Sequence, residues 1–368
     1  MTKISAYLLK QLTLVLLSAV VALLLVCLTA PFFISNLKVY DWNDELNIFV
    51  FSGGYIHRER DEGWADTHFG EMGISGIRNL SMDAGSSAVV SIWGDSHVEA
   101  LQVPDSCKLS QQATNIWNEN HKGRIRFFGM AQSYWSVADY VYLIPRLEKI
   151  ITPVAHIIVL GEHGLKDITP DGTSFLEPNF AFIPHQKIDK RKNELLRKVD
   201  TAGCSYPFLA LWQPIRALRE RLSTHGLRFI PGPIVQKVEL LASKDWSVPT
   251  RSLINAWYFA LSKLRQTSRQ PLIIVYLPEI PRLSDGEIIC VDDQEGLIAK
   301  FRSICDEHEI LFVDLTYKFI DGVKLNRRFA RGFHNGQLSV GHLNEFGHLL
   351  TAEAICGALE KIVPLNDF

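Results

Sequence analysis

The sequence predicts a three-layer α/β sandwich around a central parallel sheet, preceded by one N-terminal transmembrane helix. Short apolar runs alternate with helix-length segments, and a long uncharged stretch lies near the N-terminus. The chain has 368 residues, 47% of them hydrophobic and 21% charged, which suffices for a large buried core. Its formal net charge of -2 gives no field that attracts nucleic acid, so we expect no nucleic-acid partner.

The N-terminal stretch is long enough to cross a bilayer. No charged residue occurs from Gln11 to Leu37, and Leu14 to Ala30 is almost wholly apolar. At about 1.5 Å per residue, this stretch spans a hydrocarbon core of roughly 30 Å. Basic residues precede it and mainly acidic residues follow it: Lys3 and Lys10, then Asp41, Asp44 and Glu45. The positive-inside rule therefore predicts a single-pass protein whose short N-terminus is cytoplasmic and whose chain after about residue 37 lies outside the cytoplasm.

A cleaved signal peptide is the alternative interpretation of this stretch. Its apolar part is long for a signal peptide, and Pro31 follows the best small-residue site, which makes cleavage there unfavourable. We therefore predict an uncleaved anchor over residues 1–37, a juxtamembrane region over 38–86 and an α/β domain over 87–368.

Five apolar runs predict the strands of the sheet, in chain order: Val89–Trp93, Arg124–Phe128, His156–Leu160, Leu272–Leu277 and Ile310–Val313. Helical patterns fall between and after them: Ser106–Asn118, Ser136–Ile150, Arg251–Arg265, Asp293–Glu307 and Glu345–Leu359. Strands that are apolar throughout are typical of a parallel sheet covered on both faces. The third and fourth strands are too far apart for one crossover, so an insertion is predicted over about 167–248, on the loop edge of the sheet.

Two charged runs are interpreted as solvated surface. One is Arg58–Glu62 in the juxtamembrane region, and the other comprises Arg327, Arg328 and Arg331, which could alternatively steer an anionic saccharide. Of the six cysteines, Cys27 lies in the predicted span, which leaves an odd number outside and argues against a disulfide scaffold.

The candidate chemistry lies at the carboxyl ends of the predicted strands, where ligands bind in parallel α/β sheets. Ser96 follows the first strand in the turn Gly94-Asp95-Ser96-His97, and His342 precedes the last helix. A serine hydroxyl becomes a good nucleophile only when a base takes its proton, so the two residues have chemical meaning if they meet. The alternative is that Ser96 merely caps a helix and His342 is a surface-loop histidine.

The blocks Gly94-Asp95-Ser96, Gly129 and His342-Leu343-Asn344, in this order and strand context, resemble the SGNH (GDSL-like) hydrolase superfamily over about residues 87 to 361. The resemblance implies a flavodoxin-like three-layer sandwich, with Ser96 as nucleophile, His342 as general base and no cofactor or metal. It also implies an oxyanion hole that includes the amides of Ser96 and Gly129, with Asp95 fixing the turn. His342-Leu343-Asn344 followed by Gly347-His348 looks like the carbohydrate-acting members, which implies an acyl group, most simply acetyl, on a polysaccharide.

The sequence departs from the family pattern in two places. His163 stands about where the family has an asparagine that donates to the oxyanion, and an imidazole N–H can take that role. The aspartate that normally precedes the histidine is missing, because Ser339 and Val340 occupy those positions. Either Ser96 and His342 act as a dyad, with a backbone carbonyl or Ser339 holding the imidazole, or an acid comes from elsewhere.

The sequence leaves three kinds of function open. The first is acyl transfer on a polysaccharide. Similar anchored proteins take part in polysaccharide O-acetylation, so the chain is expected to be either an esterase or an O-acyltransferase that works with a membrane acyltransferase. The missing acid motivates a second reading, a catalytically degenerate glycan-binding or assembly protein that depends on pocket aromatics such as Trp135. A third reading is an esterase acting on lipids at the outer face of the inner membrane, which requires an apolar acyl groove.

Overall fold

A computed structural model describes residues 3–76, 88–121, 124–166, 175–176, 182–183, 190–201, 209, 249–284, 287–291 and 294–363. Most of the predicted insertion over 167–248 lies outside the described residues. The helices are α1 Lys3–Phe33, α2 Ser96–Glu99, α3 Leu109–Asn120, α4 Val137–Leu147, α5 Glu162–Lys166, α6 Lys190–Thr201, α7 Arg251–Thr267, α8 Glu295–Glu307, α9 Thr316–Asn326 and α10 Glu345–Ile362.

The strands before and within the first part of the sheet are β1 Tyr40–Asn43, β2 Ile48–Phe51, β3 Ile56–Glu59, β4 Ala65–His68, β5 Ala88–Gly94, β6 Ile125–Ala131 and β7 Ala155–Gly161. The later strands are β8 Phe175–Leu176, β9 Phe182–Ile183, β10 Leu272–Leu277, β11 Arg282–Ser284, β12 Glu287–Ile289, β13 Leu311–Asp314, β14 Arg331–Gly332 and β15 Leu338–Leu343.

The central sheet has five parallel strands in the order β13-β10-β7-β5-β6. Numbered by their own sequence, these strands run 2-1-3-4-5 across the sheet, which is the flavodoxin-like order. The predicted fold class is therefore confirmed, and all five predicted strands are present. The largest boundary error is in β6, which runs to Ala131 instead of ending at Phe128, because Gly129 to Ala131 continue to pair with β5.

Helices cover both faces of the sheet. Neighbouring residues of one strand point to opposite faces, so Trp93 and Phe128 belong to one core cluster, while Ile92 and Phe127 belong to another. The first cluster lies under α4, α7 and α8, and the second under α3 and α10. The result is the predicted three-layer arrangement.

Residues 38–76 of the predicted juxtamembrane region pack against the sheet domain. They form two antiparallel hairpins, β1–β2 and β3–β4, and Leu46, Val50 and Ile74 share a core cluster with Trp93. A periodic pattern was not visible here because each strand is only four residues long. Without such a pattern, nothing in the sequence indicated that this region belongs to the domain.

A buried lysine joins these hairpins to the segment that follows α2. Lys108 is 1% exposed, and its ammonium group donates to the Thr67 hydroxyl at 3.0 Å and to the Ala100 carbonyl. Burial, the largest cause, lowers the pKa of Lys108 to about 8, against the opposing charge of Asp105.

The α1 helix contains the candidate membrane span. Leu9–Ala30 has a mean hydropathy of 2.8 and is not buried inside the protein, so by length and composition it could cross a membrane or serve as a signal sequence. The chain then passes directly into the hairpin region, where the Ser35 hydroxyl donates to the Glu59 carboxylate at 2.8 Å.

We predict that Gly94→Ala displaces α2. A Cβ at Gly94 would lie 2.2 Å from Cγ2 of Val98, so the helix that begins at Ser96 must shift. We expect a loss of about 1–3 kcal/mol in the free energy of unfolding, typical of overpacking, measured by urea denaturation in detergent micelles.

The matched control is Gly357→Ala in α10, where a Cβ meets nothing within 4 Å and helix propensity should raise stability slightly. Adding Val98→Ala to Gly94→Ala should not restore the loss, because the Cβ of residue 98 would still lie 2.7 Å from the new Cβ. Equal stability of Gly94→Ala and the wild type would refute this account of the turn.

Candidate active site

The carboxyl ends of β5 and β7 open into a cavity of about 860 Å³. Four predicted site residues line it: Ser96, His342, Asp95 and His163. Gly129 and Ser339, the other two predicted site residues, are not among the residues that line it.

Ser96 is the first residue of α2, directly after the turn that ends β5. Asp95 caps this helix, since its side chain accepts from the His97 amide at 2.9 Å. Ala100 adopts a left-handed conformation with φ of 52° and ends the helix after one turn. Asp95 thus makes the kind of backbone hydrogen bond expected of a residue that fixes the turn. Burial is the main reason that the pKa of Asp95 is raised, against the lowering effect of that amide and of Arg331.

His342 lies on β15 and is held by an acid that the sequence did not identify. Its Nδ1 is 2.5 Å from Oε2 of Glu62, and its backbone amide donates to Oε1 of the same carboxylate at 3.0 Å. Glu62 comes from the loop between β3 and β4, 280 residues earlier in the chain. Gly341 makes the approach possible, because a Cβ there would lie 2.4 Å from Oε1 of Glu62.

The expectation that Arg58–Glu62 is a solvated face is therefore wrong. Glu59 is 8% exposed and accepts from Ser35, and Glu62 is committed to His342. A short run of mixed charges normally indicates a solvent-exposed segment. Here the loop turns inward, and its carboxylates accept hydrogen bonds from distant segments of the chain.

The Glu62 carboxylate sets the protonation pattern of His342. Burial acts to raise the pKa of Glu62, but the hydrogen bonds and charge of His342 outweigh it, so the net pKa is lowered. An ionised carboxylate can only accept, so Nδ1 of His342 carries the proton in this bond. A neutral imidazole then has its lone pair on Nε2, where it can act as a base.

Ser339 does not hold the imidazole, which corrects the supporting role suggested for it. It is completely buried, has a φ of 66°, and its hydroxyl accepts from the Leu283 amide at 2.7 Å. Its contact therefore fixes β15 against β11, while Glu62 takes the position beside the histidine.

His97 accepts a hydrogen bond from Arg331, a buried arginine in the cavity wall. Arg331 donates to Nε2 of His97 at 3.1 Å and also to the carbonyls of Pro278, Leu277 and Gly341. A guanidinium only donates, so Nε2 of His97 accepts and the ring is neutral. Burial, joined by the charge of Arg331, holds the pKa of His97 well below its ordinary value. His97 therefore does not compete with His342 as a base.

Arg331 was interpreted as part of a solvated run, and that interpretation is also wrong for this residue. It is 7% exposed, whereas Arg327 and Arg328 are exposed as expected. The difference arises because Arg331 begins the β14–β15 hairpin, which turns its side chain toward the carboxyl ends of the sheet.

Gly129 is not at the end of its strand. It lies inside β6 beneath Val98, to which a Cβ would approach within 3.3 Å. The loop that follows the actual end of β6 carries Ser133, Tyr134 and Trp135 to the cavity instead. His163 lines the cavity from α5, after β7.

No family model matches the chain, and no curated protein matches it. Its solved structural neighbours include a lipase/acylhydrolase from Enterococcus faecalis, 11% identical, covering 74% of this chain and 96% of that one with a TM-score of 0.39. TesA is 11% identical and covers 75% of this chain and 99% of its own, with a TM-score of 0.40. A variant of an acetyl xylan esterase from Geobacillus stearothermophilus is 12% identical, covering 76% and 98%, with a TM-score of 0.38.

We predict that Glu62→Gln loses stability at neutral pH and not in acid. The pKa of Glu62 is lowered on folding from its ordinary 4.5, so its contribution is present above that value and disappears as pH falls through the folded pKa. The expected difference from wild type is on the order of 1–2 kcal/mol at pH 7, read from urea unfolding at a series of pH values. Exposed Glu119→Gln is the control, and a difference that stays constant into acid would contradict the assignment.

We predict that Arg331→Lys is strongly destabilising whereas Arg327→Lys is neutral. Lysine cannot reproduce the fork that reaches three carbonyls and His97, so buried acceptors lose their donors. The expected loss is about 2–4 kcal/mol in the free energy of unfolding. Similar unfolding curves for the two variants would show that the buried arrangement is not formed.

Proposed function

We propose that this chain is a membrane-anchored, extracytoplasmic SGNH-type enzyme that cleaves or transfers ester-linked acyl groups on a polysaccharide. Acetyl is the acyl group we favour. One observation carries the proposal: Glu62 holds His342 by two hydrogen bonds in the same cavity that Ser96 lines. A nucleophile, a base and a group that orients the base make up the triad used for acyl transfer through a serine.

In the proposed mechanism, Nε2 of His342 takes the proton of Ser96 as Oγ attacks the acyl carbonyl carbon. The carbonyl π electrons move onto oxygen and form a tetrahedral oxyanion. When the oxyanion collapses, the bond to the leaving alcohol breaks, and His342 returns the proton to that oxygen. Glu62 keeps its negative charge throughout and stabilises the imidazolium.

The acyl-enzyme is then resolved by a second attack of the same kind. Water as the nucleophile gives an esterase, and a sugar hydroxyl gives an O-acyltransferase. In both cases His342 removes the nucleophile's proton and returns it to Oγ of Ser96. The same residues serve both outcomes, and a membrane acyltransferase is the candidate donor system for the second.

For the oxyanion we propose the Ser96 amide, at the start of α2, and the His163 side chain across the cavity. Gly129, the third predicted contributor, is beneath Val98 and is not included. On the β6 side, the loop after Ala131 lines the cavity.

The membrane location rests on α1. Its uncharged span and the basic residues before it support an inner-membrane anchor with the cavity on the periplasmic side. Lys38, only five residues after the end of α1, lines the cavity, so the site lies close to the anchor in the chain.

The residues that line the cavity argue against the two alternative functions, a non-catalytic glycan-binding protein and a lipid-acting esterase. The non-catalytic reading was motivated by a missing acid, and Glu62 occupies that role by geometry. A lipid-acting esterase needs an apolar groove for the acyl chain, whereas this cavity is lined by six carboxylates and three Lys or Arg side chains: Glu59, Asp61, Glu62, Asp95, Glu99, Glu279, Lys38, Arg282 and Arg331.

We predict that the full chain in detergent micelles acquires one acetyl group from 4-nitrophenyl acetate, or turns it over, and that Ser96→Ala does neither. The measurement is intact mass after rapid quenching, alongside release of nitrophenolate. Folding of Ser96→Ala is checked by its unfolding curve. Adduct or turnover at wild-type level in Ser96→Ala, or neither in the wild type, would refute the enzymatic proposal.

In the same assay Glu62→Gln should be about 10²–10⁴-fold slower, because an amide can donate to Nδ1 and favour the wrong tautomer, as in serine proteases that lose their triad acid. Glu119→Gln should keep full activity. Unchanged activity of Glu62→Gln would remove Glu62 from the mechanism.

A further inference from the structure

We infer that the side chain of Glu99, together with Gln102 and Tyr134, forms a saccharide-binding subsite that accepts hydrogen bonds from sugar hydroxyls beside Ser96. The inference deepens the proposed function and rests on it for the role of Ser96. It assigns the part of the cavity that the acyl-transfer mechanism does not use.

Glu99 is a buried carboxylate with one oxygen left over. It lies one helical turn after Ser96 at the end of α2, is 1% exposed, and lines the cavity. Its Oε2 accepts from the Ser133 hydroxyl at 2.5 Å and is 3.9 Å from Nζ of Lys38. Its Oε1 is buried and has no hydrogen-bond partner among the described residues. A buried acceptor without a donor is costly, so the position favours a donor brought by a ligand.

Gln102, three residues after Glu99, also has a buried acceptor oxygen in the cavity wall. It is 8% exposed, lines the same cavity, and its Oε1 is likewise buried without a hydrogen-bond partner in the described part of the chain. Two acceptor oxygens that both belong to the cavity wall match a ligand with more than one hydroxyl, since each sugar hydroxyl can donate one hydrogen bond.

Tyr134 gives the same wall an aromatic surface. It is 70% exposed, lines the cavity, and follows Ser133, which is bonded to Glu99. Its φ of 75° is uncommon for an aromatic residue and is the kind of strain that concentrates at functional sites. An exposed ring beside buried acceptors fits a sugar, which combines an apolar C–H face with polar edges.

The charges that line the cavity favour a neutral saccharide over an anionic or a cationic ligand. The excess of carboxylates over Lys and Arg side chains in the cavity repels an anionic saccharide. A ligand ammonium would also suit Glu99, but Lys38 already lies 3.9 Å from that carboxylate and supplies a positive charge. Neutral hydroxyl donors satisfy the free oxygen without adding a second cation.

The test uses the full chain carrying Ser96→Ala in detergent micelles, so that the probe is bound and not cleaved. The probe is 6-O-acetylglucose, and binding is measured by ligand-observed NMR titration. We expect saturable binding that Glu99→Gln weakens tenfold or more. The Ser133 hydroxyl and the Lys38 ammonium favour the amide oxygen at the Oε2 position, which leaves an N–H group where the sugar hydroxyl needs an acceptor. Tyr134→Ala, a change at an exposed side chain, should weaken binding severalfold. Exposed Glu119→Gln in the same background should leave the affinity unchanged.

Glucose penta-acetate, which has no hydroxyl donors, should bind at least tenfold more weakly than 6-O-acetylglucose. No saturable binding of 6-O-acetylglucose, equal affinity of Glu99→Gln and its parent, or tighter binding of glucosamine than of glucose would each overturn the inference. Unfolding curves of Glu99→Gln establish that it is folded, and Tyr134→Ala provides a second variant.

This readout does not depend on turnover. If the wild type forms no Ser96-dependent acetyl adduct but the titration behaves as expected, the proposed chemistry fails while the subsite stands. If the adduct forms but Glu99→Gln binds normally, the subsite fails while the chemistry stands.

Discussion

The carboxylate of Glu62 holds both the ring and the backbone of His342, and the organisation of the site depends on that contact. It fixes the tautomer that leaves Nε2 available as a base, and it ties the β3–β4 loop to the β14–β15 hairpin. The hairpin in turn carries Arg331, which supports His97 behind Ser96. The two hydrogen bonds of Glu62 therefore join the position of His342 to the surroundings of Ser96.

Two parts of the chain supply the residues that line the cavity. The parallel sheet supplies Ser96 and His163 at strand ends, as expected for this topology. The short hairpins before the sheet supply Glu62, and the segment after α1 supplies Lys38 beside Glu99. The region that looked like a connector from membrane to domain is thus part of the site.

The sheet could be predicted from sequence because each strand is a continuous apolar run. Ser96 and His342 could be proposed as site residues because one follows a predicted strand and the other precedes a predicted helix. Glu62 could not, because it sits in a charged run without periodicity and meets His342 only through the tertiary fold. Its one signal was indirect: no acid precedes His342, which required one from elsewhere if the site were complete. Arg331 was missed for a related reason, since its neighbours Arg327 and Arg328 are exposed. Gly129 was misplaced because β6 continues through a glycine that usually marks a strand end.

The sequence separation of 280 residues from Glu62 to His342 also bears on how the protein folds. Contacts between such distant segments form late, after the local helices and the strand pairs they depend on. Glu62 lies in the loop between β3 and β4, whereas His342 lies on β15, the last strand before α10. The contact that organises the site therefore closes only after both hairpins have docked on the sheet, so we expect completion of the site to lag behind formation of the sheet.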